Sequence, residues 1–585
     1  MMQESGWRYS LLGLIFAFIA FFIVGQMVRI QIIPQAEIFY DLQDLYAGQW
    51  QVVEPVRGNI YDRRGHLLAG NEEVYQVGVE LPMVVDPETI AQALNMVLGL
   101  DYGKVYAAIT HPESENAIYV VLTDFVSAEK IALLEDFADQ LTESPIYDED
   151  GSAHSLRGLI FEPHLQRSYP EKSLASNVLG FVSRNGQGYY GVEERYNDLL
   201  AGVSKTLWVP NDPNRVSEMP ETPKGADLIL TLDREIHKSM EEILDNALFQ
   251  SGATAGTIVV MNPKTGEILA MASYPRMDLN QYWDYQAYYD KDRPYNLAVH
   301  SYEPGSVFKV LTMAAALDSE TVTPDTTFLD TGVILVGGIT IHNWNYGAWG
   351  PQTMLGCMQH SLNVCLAWVS TEMGANVFYP YLQDFGFGHS TGVELAGEVT
   401  GRLKVPGDSD WHEADLGTNS FGQGISVTPI QMVMAISAVA NDGVMVVPRI
   451  IGAVVDKGHQ YETSTRVAGT PISAETAHTL TEMLAISLEE EASTALVEGY
   501  RVAGKTGTAE IPTPYGYTSS VTNASFVGWG PVDDPQFMVY VWLEKPTISP
   551  WGSVVAAPVF NQVVQRLVVL MDIPPDQIRH GLAAP

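Results

Sequence analysis

Ser306 and Lys309 stand three residues apart in "YEPGSVFKV", directly after Pro304 and Gly305. A serine hydroxyl attacks a carbonyl only when a base takes its proton, and a lysine serves when burial or a nearby cation holds it neutral. The Pro-Gly break followed by "SVFKVLTMAAALDSE" predicts a helix that starts at Ser306, where orphan N–H groups favour a developing negative charge. Lys309 then lies on the same face. Alone, the pair reads more readily as an N-cap serine followed by a surface lysine.

Two later segments supply what acyl transfer still lacks. "MQHSLNVCLAWVS" carries Ser361 and Asn363 ahead of an apolar helix, and "YRVAGKTGTAE" carries Lys505, Thr506, Gly507 and Thr508 on a segment patterned as an edge strand. In that chemistry Ser306 attacks, Lys309 takes the proton, and Ser361 relays it to the leaving amine. Lys505 adds positive potential that keeps Lys309 neutral and attracts a carboxylate, to which Thr506 and Thr508 offer hydroxyls. Gly507 leaves room for a substrate backbone along the strand. The backbone N–H groups of Ser306 and Thr508 form the oxyanion site, and Asn363 hydrogen-bonds both Lys309 and a substrate amide. No imidazole is required, so His300, His360 and His412 read as structural or surface residues.

The surrounding elements must position these groups. "AGTIVVMNPKTGEILAMASYP" is a hairpin about Asn262–Gly266, and "NASFVGWGPVD" and "QFMVYVWLEKP" are two strands near the far end of the chain. Strands on both sides of a long helical middle predict an α+β fold: a sheet assembled from distant segments and covered by helices. "ADLILTLDREIHKSMEEILDNAL" reads as a strand and a helix capped by Asp233, "APVFNQVVQRLVVLM" as the last helix, and the final ten residues as a loose tail. Upstream, from about Val52 to Leu230, short strands, turns and helices alternate in an elongated non-catalytic module. Within it, Arg57, Asp62, Arg63 and Gly65 read as residues that bind the two domains together.

Composition narrows the class. With 32 Lys and Arg against 70 Asp and Glu, the net charge of −38 lacks the basic footprint of a nucleic-acid binder. The Trp7–Val28 stretch is long enough to cross ~30 Å of hydrocarbon as a helix. Trp7 and Tyr9 suit an interface, and no small-x-small site follows, so an uncleaved anchor is expected rather than a signal peptide. Cys357 and Cys365 are the two cysteines. In a continuous helix they lie ~12 Å apart, beyond disulfide reach, and are expected to be two small buried hydrophobes. Their spacing fits no metal site.

The ordered trio Ser-x-x-Lys, Ser-x-Asn and Lys-Thr-Gly is the signature of penicillin-binding proteins and class A β-lactamases. Further stretches resemble class B penicillin-binding proteins over nearly the whole chain: "RGNIYDRRGHLLA", "RSYPEKSLASNVLGFV", "GYYGVEERYNDLLAG", "FGFGHSTGVELAGEVTG" and "SFGQGISVTPIQMVMAISAVANDG". The one departure of note is Leu362 where many relatives carry a small polar residue; its side chain is expected to point away.

The resemblance implies a layout of a cytoplasmic tail (1–9), a transmembrane helix (10–30), a juxtamembrane linker (31–51), a pedestal (52–224), a transpeptidase domain (225–575) and a tail (576–585). It implies a D,D-transpeptidase without cofactor or metal, anchored once in the bacterial cytoplasmic membrane with its catalytic domain outside. Ser306 would be acylated by the D-Ala-D-Ala end of a stem peptide and would pass the acyl group to an amine of a neighbouring stem, with residual D,D-carboxypeptidase activity. β-Lactams would acylate the same serine. A polytopic membrane glycosyltransferase of the shape, elongation, division and sporulation type would polymerise the glycan. A β-lactamase needs neither anchor nor pedestal, a penicillin-sensing receptor needs a route to a cytoplasmic effector, and a silent scaffold would not need Ser306, Lys309 and Lys505.

Overall fold

The computed structural model describes residues 6–32, 48–53, 55–114, 116–147, 151–210, 223–289, 293–491, 493–513 and 516–582. Contacts divide the chain into two units, Met1–Val56 with Ala201–Gly225, and Arg57–Leu200 with Ala226–Pro585.

In the first unit, Gly6–Ile32 is a single helix. Its Trp7–Arg29 stretch is long and apolar enough to span a membrane and buries none of its side chains in protein. Strand Gly48–Val53 pairs antiparallel with Lys205–Pro210, so the last residues of the expected linker are extended. The rest of that linker, residues 33–47, lies outside the described residues.

The second unit is built on two sheets. The five-stranded one is antiparallel, in the order Ile268–Tyr274, Ala255–Met261, Phe537–Glu544, Gly516–Gly530, Ala503–Thr513. Its central strands are buried on both faces, which is why "IVVM" and "FMVYVWL" are continuous apolar runs rather than alternating ones. Ile258, Val260, Phe526 and Val541 pack on helices Arg234–Ser251 and Ala557–Leu570 through Met240, Leu244 and Phe560. The opposite side chains, Val259, Met261, Val527 and Tyr540, share a core with the helical layer that includes Lys309–Asp318 and Pro429–Ala440. Asp233 caps Arg234–Ser251, accepting from the Glu235 and Ile236 N–H groups.

The other sheet has seven strands. His459–Glu462, Ile451–Asp456, Asp227–Leu230, Ile60–Tyr61, Leu67–Glu80 and Tyr119–Ser127 follow in order, and Leu159–Ser168 also pairs with Leu67–Glu80. It is a joint between regions: Ile60 and Tyr61 run parallel to Leu228 and Ile229. Farther out, helices Pro87–Leu98 and Ala128–Glu143 close a separate core over Val77 and Val79.

The motif residues of this joint divide their work. Asp62 turns the chain by accepting from the Arg64 and His66 N–H groups, and its other oxygen accepts from the Arg234 N–H at 3.1 Å. Arg63 reaches Glu267, and Arg64, not singled out in the sequence, pairs with Asp233. Gly65 serves only the turn, at φ +86°. Arg57 instead stays with Glu193 and Asn197, so its expected bridging role is replaced by a buried ion cluster.

Two expectations are corrected. Asp576–Leu582 is a helix rather than a loose tail, because Asp576 accepts from the Arg501 N–H and Arg579 pairs with Asp533. Cys357 and Cys365 form a disulfide with Cα atoms 6.0 Å apart. The continuous helix assumed between them does not exist: one helix ends at Gln359, another begins at Asn363, and Ser361 between them has φ +53°. That left-handed residue folds the chain back and shortens the span.

Candidate active site

Gly305–Phe308 is a turn of 3-10 helix that continues into the helix Lys309–Asp318. Ser306 therefore sits in a tight turn leading into the α-helix, half-buried, with Val307 and Phe308 fully buried beside it. Gly305 has φ +61°, and a Cβ there would stand 2.6 Å from the Thr508 carbonyl oxygen. Only glycine permits that contact between the serine turn and the Lys-Thr-Gly strand.

Lys309 is wholly buried. Its ammonium donates to the Ser361 carbonyl at 2.6 Å, to Ser361 Oγ at 3.2 Å and to Asn363 Oδ1 at 2.7 Å. Those bonds use all three of its hydrogens. Desolvation, and then the charge of Lys505, hold its pKa well below the usual lysine value. Once it loses a proton, the amine has a lone pair to turn towards Ser306, one helical turn earlier.

Ser361 and Asn363 are held from both sides. The Cys357–Cys365 disulfide brackets them, the Leu362 N–H donates to the Cys357 carbonyl, and Leu362 itself is fully buried in the main core, pointing away as expected. Asn363 Oδ1 faces Lys309, while its amide nitrogen donates to the His342 carbonyl. One of the two amide hydrogens expected for substrate is thus committed to the protein.

Strand Ala503–Thr513 lies at the edge of the five-stranded sheet, so among the described residues one of its backbone edges has no neighbouring strand. Lys505 reaches Ser361 Oγ at 3.0 Å and the Thr506 carbonyl at 3.2 Å. Thr508 Oγ1 accepts from the Gly552 N–H, leaving its own O–H to donate. Gly507 is also required by packing inside the protein. A Cβ there would meet Ser525 Oγ at 2.2 Å and Val307 Cγ1 at 2.8 Å. Its missing side chain makes room for the serine turn within the protein. Further along the strand, desolvation raises the Glu510 carboxyl pKa.

Ser306, Lys309, Ser361, Asn363 and Lys505 are thus brought together from three separate segments, with Thr506, Gly507 and Thr508 on the adjoining edge. The arrangement sets a half-buried serine hydroxyl one helical turn from a desolvated lysine, a second hydroxyl between two lysine nitrogens, and threonine hydroxyls along the adjoining edge, groups of the kinds that acyl transfer draws on. Of the histidines, His360 stacks on Trp349, His412 caps the helix Glu413–Asn419, and His300 lies at the surface. Sequence reasoning missed an aromatic contact across the site. Trp344 packs edge-on against Trp551 with ring centroids 5.2 Å apart, the first next to the Asn363-bound loop and the second next to Gly552. Nothing local in either stretch signals a contact between residues so distant in the chain.

Comparison with known proteins agrees with this geometry. Residues 256–565 match the penicillin binding protein transpeptidase domain, and residues 52–218 match the penicillin-binding protein dimerisation domain. Stage V sporulation protein D of Bacillus subtilis is 34% identical over 536 residues, covering 89% of this chain and 79% of its own. A probable peptidoglycan D,D-transpeptidase, PbpC of Pseudomonas aeruginosa, is 27% identical over 99% of this chain and 98% of its own. Among solved structures, penicillin binding protein 3 of Mycobacterium tuberculosis complexed with aztreonam superposes with a TM-score of 0.67 at 27% identity, over 90% of this chain and 98% of that one. Penicillin binding protein 2X of Streptococcus thermophilus shares the fold, with a TM-score of 0.72 at 24% identity over 92% and 82% of the two chains. The chain belongs to the penicillin-binding proteins of class B.

Proposed function

We propose that this protein is a peptidoglycan D,D-transpeptidase acting through Ser306. The observation that carries the reading is the convergence of a fully buried, pKa-depressed Lys309 and of Lys505 on the Ser361 hydroxyl, beside the serine turn. Neutral Lys309 takes the Ser306 proton as Ser306 Oγ attacks the carbonyl of the penultimate D-Ala. The N–H groups of Ser306 and Thr508 hold the oxyanion. Ser361 passes a proton to the departing D-Ala amine. The acyl-enzyme is then attacked by an amine of a neighbouring stem, and the same groups run in reverse. Lys505, Thr506 and Thr508 anchor the substrate carboxylate, and a β-lactam enters by the same route.

The helix Trp7–Arg29 supports a single membrane anchor, and we assign the catalytic domain to the extracytoplasmic side, where the wall lies. The pedestal is assigned to 52–224 and the transpeptidase domain to 225–575, supported by the family matches within those ranges. Glycan polymerisation is assigned to a separate polytopic membrane glycosyltransferase, since the two family matches, 52–218 and 256–565, are to a dimerisation and a transpeptidase domain.

The test is fluorescent-penicillin labelling of the full-length protein in detergent, with mass spectrometry to locate the adduct and Ser306→Ala as control. A slowly decaying adduct on Ser306 is expected. Rapid turnover would replace the reading with a β-lactamase, and a folded protein that never labels would return it to a scaffold.

A further inference from the structure

A second site is built on the strands of residues 67–168, from residues that take no part in the group around Ser306. Opposite Gln76 the strand Tyr119–Ser127 carries an extra residue: Tyr75 pairs with Val126, and Val77 with Thr123. Asp124 and Phe125 thus oppose Gln76 alone, and Phe125 takes φ +59°, a strained value for an aromatic residue. The bulge re-aims both side chains. Asp124 comes to lie between His164 Nε2, at 2.7 Å, and Arg184 Nη2, at 2.6 Å. The Phe125 ring stacks on Trp283 with centroids 6.0 Å apart.

Arg184 ties the two halves together. Its guanidinium also donates to Gln76 Oε1 at 2.6 Å and lies 5.9 Å from the Phe125 ring centroid, while its backbone N–H donates to the Tyr282 hydroxyl. Gln76 in turn faces Glu162 across the strands at 3.4 Å. These groups line an open pocket of about 360 Å³ whose walls are Gln76, Glu162, Pro163, His164, Leu165 and Arg184. Beside it, Trp283 leaves 54% of its surface exposed although Phe125 supports it from behind. Neither the acyl-transfer chemistry nor the joint between the sheets uses any of these residues.

We propose that this pocket and the Trp283 ring form a subsite for the glycan strand of peptidoglycan, a polymer of N-acetylated amino sugars. The proposal rests on the peptidoglycan reading above. Planar donors and acceptors fixed in advance (guanidinium, carboxamide, imidazole, carboxylate) match the hydroxyl and acetamido groups of a pyranose, and an exposed indole supported from behind matches its C–H face. An apolar partner would strip water from these polar and charged walls without offering them hydrogen bonds in its place. Binding the strand here would hold it in register while its stem peptides enter the cleft.

The test uses full-length protein in lipid nanodiscs with Ser306 blocked by penicillin, and immobilised glycan strands stripped of their stem peptides by an amidase. Saturable binding is expected. Trp283→Ala should weaken it about tenfold, the loss of one good aromatic contact, and Trp283→Phe should restore most of it. His164→Ala and Gln76→Ala should weaken it as well. Penicillin labelling of each variant reports a folded catalytic domain and separately tests the transpeptidase reading. Wild-type protein that ignores the stripped strands, or Trp283→Ala that binds them equally, would overturn the proposal. Failure to bind strands, with Trp283→Ala impairing cross-linking only in membranes holding other wall proteins, would overturn it in favour of a protein partner.

Discussion

Lys309 and Lys505 point at the same oxygen: their nitrogens stand 3.2 and 3.0 Å from Ser361 Oγ. A hydroxyl that accepts from two cations has its own hydrogen left to give, which is what a relay to a leaving amine requires. The closeness also has an electrostatic consequence, since each charge makes the other costlier. Both lysines are buried, and Lys309, with no exposure at all, is driven towards neutrality.

Acylation should therefore rise with pH as Lys309 deprotonates, through a pKa below the ordinary 10.5. Removing the Lys505 charge raises the Lys309 pKa, so Lys505→Ala should shift that rising limb to higher pH. Lys505→Arg keeps the charge and should leave the limb in place while lowering the plateau. The measurement is the second-order rate of penicillin acylation against pH for the three proteins. An unmoved limb in Lys505→Ala would refute the coupling. The same depression makes the folded state bind fewer protons than the unfolded chain between the folded pKa and 10.5, so this lysine costs less stability as pH rises through that window.

Gly507→Ala should abolish most activity without touching any polar catalytic group. The new methyl collides with Ser525 Oγ and Val307 Cγ1, and Val307 follows Ser306 directly. A displacement of about 1 Å at Ser306 is enough to lower acylation ~100-fold. Adding Ser525→Gly removes the tighter collision and should recover part of the rate. If Gly507→Ala acylates normally, the close packing of strand on turn is not what positions Ser306.

The parts legible in the sequence were those in which chemistry dictates residue type. Ser306, Lys309, Ser361, Asn363 and Lys505 stand out because few residues can replace them, and their order along the chain did the rest. The alternating and continuous apolar runs likewise revealed the sheet and its covering helices. What stayed hidden depended on backbone geometry or on distant pairing. The disulfide was missed because helix pitch was extended through Ser361, and serine gives no sign of a left-handed φ. The packing demand on Gly507 was not legible, since its neighbours Val307 and Ser525 arrive only in the folded sheet. Trp344 and Trp551 meet only once the helical layer and the sheet are assembled.

The buried cluster in the joint gives a stability prediction. Glu193 is fully buried and takes Arg57 on one oxygen and Arg167 on the other, at 2.8 and 2.7 Å, with Tyr169 nearby. Glu193→Ala strands two buried guanidinium groups, and removing one partner of such a pair costs about 3–5 kcal/mol. Glu193→Gln keeps hydrogen bonding without the charge and should fall between. Thermal unfolding followed by limited proteolysis of residues 57–200 is the measurement. Indistinguishable melting of Glu193→Ala and wild type would mean that water enters and satisfies the arginines.

The disulfide should support both stability and rate. It closes a short loop, eight residues apart in sequence, and chain entropy assigns such a closure about 2–3 kcal/mol. The loop is no ordinary one: it contains Ser361 and the first turn of the Asn363 helix, so the cross-link restrains the residues that receive both lysines. Ser361 also holds a left-handed φ, which costs a non-glycine residue about 1–2 kcal/mol and persists only where the surroundings enforce it. Reduction, or the double change Cys357→Ala and Cys365→Ala, loosens that enforcement. The expected outcome is a lower melting temperature together with acylation slowed about tenfold, the equivalent of losing most of that 1–2 kcal/mol of positioning. Reductant should slow the wild type but leave the double variant unchanged. If reduced and oxidised protein acylate at the same rate, the buried Leu362 and the Lys309 hydrogen bonds hold Ser361 by themselves, and the cross-link is structural only.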